Sequence, residues 1–196
     1  RRDSIMAYKQ HFIEWFSGKS LPSYWGSTGT VAMSDEVDGG LKLSNSGGTH
    51  GKLGFGVTTD TGAVYSHTGC KMISVAKVHQ TGNGFYMFHG MADIIYTPNT
   101  FHIALPANNS VFKLGSWGGG STSSQTSSTV SLDTNWHKFE LEITSSQVMT
   151  MEIDDVTTTT RTVNPPQNEM QPFNQIQQDS AGTYSTSMRY LECYNT

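Results

Sequence analysis

The stretch WHKFELEITSSQVMTMEIDDV, residues 136–156, alternates apolar and polar residues on both sides of a turn. Successive side chains of an extended chain point to opposite sides, so His137, Phe139, Leu141 and Ile143 share one face while Lys138, Glu140, Glu142 and Thr144 share the other. Beyond residues 145–147, Met149, Met151 and Ile153 supply the matching apolar face and leave Thr150, Glu152 and Asp154 opposite. A period of two on either side of a short turn predicts an antiparallel hairpin with one dry and one wet face. Whatever this chain folds into must therefore offer that hairpin a sheet to join and a core to cover.

The pattern recurs along the chain. After Pro22, Leu41/Leu43, Leu53/Phe55/Val57 and residues 72–79, 85–91, 93–96, 101–105, 111–114, 157–163 and 183–194 read as short strands separated by Gly, Asn and Pro. About a dozen such runs predict an all-β antiparallel sandwich or barrel, and no repeat of propeller or solenoid length is visible. Helical evidence is confined to residues 8–16, where Phe12, Trp15 and Phe16 suit a strand equally well. SWGGGSTSSQTSS reads as a flexible loop, and the prolines of NPPQNEMQPFNQ argue against both a helix and a central strand. Met6 reads as the natural start, with residues 1–5 a leading remnant and 6–196 a single β-sandwich domain of a size that buries a substantial core.

Composition narrows the partners. Only 14% of residues are charged and the net charge is -4, while Ser and Thr together make up roughly a quarter of the chain, well above ordinary usage. No Lys/Arg cluster exists to neutralise a run of phosphates, which excludes nucleic acid as an expected partner. No apolar window is long enough for a membrane span, so membrane insertion is not expected, and no signal-peptide core precedes the first strands. That suits a viral or phage structural protein as well as a cytoplasmic one; a glycan-binding role favours the extracellular space or a virion surface. Cys70 and Cys193 form one disulfide or stay free and buried.

Trp136-His137-x-Phe139-x-Leu141-x-Ile143, followed after the turn by Met151-x-Ile153-Asp154-Asp155, resembles the late hairpin of concanavalin A-like lectin/glucanase domains, laminin-G-like jelly-roll β-sandwiches. The usual hairpin ends in Asp-Gly; Asp155 stands in the glycine's place, and Asp tolerates the left-handed turn second best. FSGKSLPSYW with DGGLKL is similar to the entry strands of these domains, ISVAKV and GNGFYMFHG to their central sheet, and SMRYLECYN to the closing strand. The resemblance implies an antiparallel jelly roll. Its members include lectins, carbohydrate-binding modules, glycosidases, lyases and receptor-binding or coat domains of viruses, so it leaves function to the site residues.

Those residues favour binding over catalysis. Glu152-Ile153-Asp154 begins a laminarinase-type Glu-x-Asp-x-x-Glu strand, but Thr157 stands where the second Glu belongs, and alternation alone accounts for the carboxylates. No catalytic set is assigned, and a glycoside hydrolase or polysaccharide lyase ranks below the other readings. Trp117, flanked by glycines, suits stacking on the apolar face of a sugar ring, or else plugs the sandwich. His79, Gln80, Asn83, Tyr86, His89 and Asp93 cluster in KVHQTGNGFYMFHGMADIIY and carry the amides, imidazoles and carboxylate that hydrogen-bond sugar hydroxyls. Trp25 and Tyr24 are expected in the core. Asp35, Glu36 and Asp38 partly fit a calcium loop ahead of Gly39, making calcium the one cofactor considered. The leading expectation is a non-catalytic, lectin-like domain that binds glycans and gains avidity through homo-oligomers or a larger assembly. The alternative is a structural or receptor-binding domain of a virus or phage particle.

Overall fold

The computed structural model describes residues 11–16, 20–33, 40–46, 50–54, 65–81, 85–93, 100–105, 110–118, 124–178 and 182–196. Its strands are β1 (His11–Glu14), β2 (Gly26–Thr28), β3 (Thr30–Met33), β4 (Leu41–Ser46), β5 (His50–Gly54), β6 (Cys70–Val78), β7 (Phe85–Ala92) and β8 (Thr100–Leu105). They continue with β9 (Val111–Trp117), β10 (Ser124–Ser131), β11 (His137–Ile143), β12 (Met149–Ile153), β13 (Val156–Arg161), β14 (Gln171–Gln178) and β15 (Thr183–Asn195). There is no helix among the described residues, and residues 11–14 resolve as strand.

Two antiparallel sheets result. Sheet I runs β13-β12-β11-β6-β15-β4-β3, with β1 also paired to β15; sheet II runs β10-β9-β8-β7-β14-β5-β2. The 13-residue β15 borders β6 from Thr186 to Asn195, while its other edge is shared by β4 over the first half and β1 over the second. A register shift between Met188 and Tyr190 leaves Arg189 as the extra residue of a bulge where that change of partner occurs.

Alternation sets the core. Leu41, Leu43, Met72, Phe139, Leu141, Ile143, Met149, Met151, Ile153 and Leu191 come from sheet I, and Leu53, Met87, Met91, Phe112, Leu114 and Ile176 face them from sheet II. Each such side chain contributes roughly 1.5–3 kcal/mol by leaving water, and the many methionines adapt to irregular gaps between the two sheets. The expected hairpin is present: β11 pairs with β12 in register from Phe139↔Ile153 to Ile143↔Met149. Asp154 and Asp155 both take positive φ, 53° and 67°, in the two-residue turn into β13, the conformation a primed hairpin turn requires. Trp25 is buried as expected, whereas Tyr24 is 48% exposed.

Two sequence expectations are corrected, and the alternative left open for the two cysteines is decided. Trp117 closes β9 instead of lying in a flexible loop, and Ser124–Ser131 forms β10, because the ladders to β8 and β9 order hydroxyl-rich segments that composition alone reads as loop. Pro172 lies in β14, a central strand; it sits opposite Met91 of β7, and among the described residues the pairing with β5 begins only at Phe173. Cys70 and Cys193 are free, buried thiols. Cys70 pairs with Asn195 and Cys193 with Met72, which leaves the cysteines two residues out of register, and diagonal neighbours about 7–8 Å apart exceed the usual disulfide span.

Candidate functional site

The wet face of the hairpin is a closed ionic lattice. Lys71 Nζ lies 2.5 Å from Glu140 Oε2, and Lys138 Nζ lies 2.7 Å from Glu140 Oε1 and 2.6 Å from Asp155 Oδ1. Burial pushes the Glu140 carboxyl up, but Lys138 and Lys71 outweigh it and hold the group below the usual carboxylate range. A general acid working near neutral pH needs the opposite shift. Glu140, Glu152 and Asp155 bring carboxylate oxygens within 4.8 Å of one another, yet the Lys138 ammonium already bridges two of the three. At the end of the hairpin, His137 hydrogen-bonds through Nδ1 to Asp154 at 2.6 Å and through Nε2 to Asp133 at 3.0 Å. Burial lowers its pKa, the two carboxylates raise it further, and the net direction is up.

Sheet II differs. Phe112, Leu114 and Ser116 point inward from β9, so Trp117 points outward, and its register partner Thr100 stands beside it on the same face. Continuing across the sheet, Thr100 aligns with Ala92 and Ala92 with Gln171, a row of four strands that spans roughly 14 Å. Thr100 is only 6% exposed, and neither its hydroxyl nor the Trp117 Nε1–H has a hydrogen-bond partner. Asp93, directly after β7, closes this end of the row: its Oδ2 accepts from Asn168 at 3.0 Å and its carbonyl accepts from Gln171 at 3.2 Å. Ala92 and Phe173 form a small apolar floor with Phe88 packed against it. Crossing behind, the segment after β13 comes so close to Gly118 that a Cβ there would sit 1.9 Å from the Pro165 carbonyl oxygen. Trp117 is partly buried, between the exposed stacking indole and the buried plug that the sequence left open.

The other candidate sugar residues separate. Tyr86 points outward at the far end of β7, roughly 23 Å along the strand direction from Asp93; its ring lies parallel to that of Phe88, 4° between planes and 6.3 Å between centroids. Gln175 aligns with Phe88, and Lys52 with Gln175. His79 and Gln80 directly follow β6 of sheet I, where His79 Nε2 is 2.8 Å from Ser187 Oγ and Gln80 Oε1 accepts from the Ser185 N–H. His89 points into the core, 1% exposed, 2.8 Å from Ser74 Oγ, and burial lowers its pKa to about 4. It cannot meet a ligand on the outer face. Asn83, Asp35, Glu36 and Asp38 lie outside the described residues.

No protein-family model matches the sequence, and no curated protein matches it. Solved structures do. A Bacillus licheniformis β-glucanase superposes with a TM-score of 0.67 at 12% identity, over 95% of this chain and 98% of that one. Botulinum neurotoxin type C, whose cell entry depends on interaction with two ganglioside molecules, gives 0.63 at 11% identity over 88% of this chain; this chain spans only 43% of the toxin chain. The fold is the concanavalin A-like jelly roll. A conserved carbohydrate esterase from the Shiga toxin-encoding bacteriophage phi24B gives 0.57 at 13% identity, covering 88% of this chain and 90% of that one. Within this jelly roll, Thr100, Gln171 and Asn168 are the residues of the Trp117 row that sequence reasoning missed; a threonine in TFHIAL and amides in a proline-rich segment show their common face only once the register is known.

Proposed function

We propose that the chain is a non-catalytic carbohydrate-binding jelly roll whose ligand lies on the outer face of sheet II at its Trp117 end, beside Thr100. The observation that carries this reading is the pairing of an unpartnered Trp117 Nε1–H with an unpartnered Thr100 hydroxyl on one face. Buried polar groups are seldom left without partners, and exceptions mark sites where something else supplies the bond. A saccharide offers both halves of what the row lacks: hydroxyl and carbonyl oxygens for the two orphaned groups, and an apolar ring face for the indole. The parallel Tyr86 and Phe88 rings extend the platform along β7. Structural likeness to proteins that act on β-glucan or interact with gangliosides supports the ligand class, and the lysine-neutralised carboxylates of the hairpin support binding without cleavage.

A glycan array run with and without calcium tests it. Binding to one saccharide class, reduced at least tenfold by Trp117→Ala and unchanged by Glu140→Gln, is the expected result; a folded protein silent across the array overturns it. Calcium dependence would assign a role to Asp35, Glu36 and Asp38.

A second reading, a structural or receptor-binding domain of a virus or phage particle, is favoured by the edge strand β1. Ile13 and the adjoining Trp15 are 47% and 64% exposed, and among the described residues β1 pairs on one side only. Exposed apolar residues on an open edge invite assembly. Light scattering separates the two, since an assembly domain forms defined oligomers that Trp15→Ser disrupts.

A further inference from the structure

At one margin of the sandwich, β13 of sheet I lies over β10 of sheet II, and Arg161, the last residue of β13, turns between them with 7% exposure. Its register partner is Met149, so it occupies the core-facing side of the strand. The guanidinium Nε donates to Ser116 Oγ at 3.0 Å and Nη1 donates to Thr126 Oγ1 at 2.7 Å; Ser116 Oγ in turn donates to the Val163 carbonyl at 2.7 Å. These bonds fix the plane of the group and use two of its five N–H donors. No carboxylate of the described residues lies within ion-pair distance of it.

Arginine is almost never buried this deeply without a counter-charge, because the desolvation cost is recovered only through pairing. Every partner here is a neutral hydroxyl. Ser128 on β10 and Thr159 on β13 are also buried, so the margin is rich in hydroxyls, with no carboxylate of the described residues paired to Arg161. Burial lowers the Arg161 pKa from its usual value, the direction of a cation whose surroundings do not neutralise it. A guanidinium held rigid through Nε and Nη1, with no hydrogen bond from Nη2 to a described residue, is suited to a planar or tetrahedral oxyanion.

We infer that the β10–β13 margin is an oxyanion-binding site, with Arg161 as the cationic ligand and Ser116 and Thr126 as the residues that orient it. The group bound is a carboxylate, sulfate or phosphate, either as a free ion or as the acidic substituent of a saccharide. The site stands independently of the Trp117 row, which lies on the opposite face of β9.

The test is thermal denaturation of the full chain in low-millimolar sodium sulfate against sodium chloride of equal ionic strength. A parallel arm uses a glucuronate-terminated oligosaccharide against its neutral counterpart. The expected result is a saturable rise in Tm of a few degrees with at least one oxyanion, abolished in Arg161→Gln and partly kept in Arg161→Lys. Response to sulfate alone assigns the site to free ions; response to the glucuronate assigns it to an acidic saccharide. An equal response in Arg161→Gln shows general salting effects and overturns the inference, as does no response in the native chain. If Arg161→Gln does not fold, the Arg161 Nε–H resonance of the native protein replaces it: a saturable shift with sulfate is expected, and an unmoved resonance overturns the site.

Discussion

Sheet I and sheet II share a core but handle polar groups in opposite ways. Sheet I carries the pairs Lys71–Glu140, Lys138–Asp155, His11–Glu192 and the His137 clamp between Asp133 and Asp154. Sheet II carries Thr100 Oγ1 and Trp117 Nε1 on its outer face, two buried polar atoms without a hydrogen-bond partner, while His89 Nδ1 and Asn174 Oδ1 are likewise unpartnered on its core-facing side. A surface whose carboxylates are largely paired to cations gains little further from a ligand. One that holds hydrogen-bonding capacity unmet pays for it in stability and recovers that cost when a partner arrives. The contrast is why the ligand face is assigned to sheet II although the sequence's most conspicuous chemistry, its paired carboxylates, lies on sheet I.

The two buried histidines give the contrast its largest measurable consequence. His89 is neutral in the fold with a pKa lowered to about 4, so the unfolded chain binds the proton first as pH falls below about 6.5. Its stabilising contribution is complete above that pH and is lost between about 6.5 and 4, by roughly 3 kcal/mol. Urea midpoints measured across this range should fall with acid, and His89→Leu should flatten the slope; an unchanged slope in the variant would place the proton elsewhere. His137 behaves in reverse. Its pKa is raised, so its contribution is complete below pH 6.5 and disappears as pH rises through the folded value.

Ligand binding comes next in size. Thr100→Val removes an unpaired buried hydroxyl at nearly constant volume, so the free protein should keep or slightly raise its Tm, while saccharide affinity should fall about 10-fold. That combination separates a binding group from a structural one: a hydroxyl with an unseen structural partner would lower Tm when lost. A Thr100→Val protein that is less stable and binds normally would erase the distinction between the two sheets.

How much of this was legible in the sequence depends on the distance over which a residue finds its partner. The β11–β12 hairpin was readable because period-two alternation and a three-residue turn are local. Glu140's dependence on Lys71 was not, since β6 becomes its neighbour only through the fold. Alternation sorted Met87 and His89 from Tyr86 and Phe88 but could not say which pair faces inward; the opposing sheet decides that, and it turned His89 from a candidate sugar contact into a core residue. Trp117 was singled out for its glycine neighbours, whereas the feature that gives it meaning, Thr100 across the ladder, carried no local signal. Pro172 misled because a proline's cost depends on whether a strand lies on each side of it.

The smallest expected effect tests whether the charges of sheet I are as finished as the geometry implies. Lys138 is held by Glu140 and Asp155 on a side chain 39% exposed, and such pairs contribute little because water and salt screen them. Lys138→Met should therefore cost about 0.5 kcal/mol at low ionic strength and less in molar salt, measured by urea denaturation at both. Glu140 keeps Lys71 in the variant, so its carboxyl remains paired and saccharide binding on sheet II should be unaffected. A loss of several kcal/mol, or a change in binding, would mean that the hairpin lattice is coupled to the opposite face through the core, and the two sheets could no longer be read as separate solutions to the same problem.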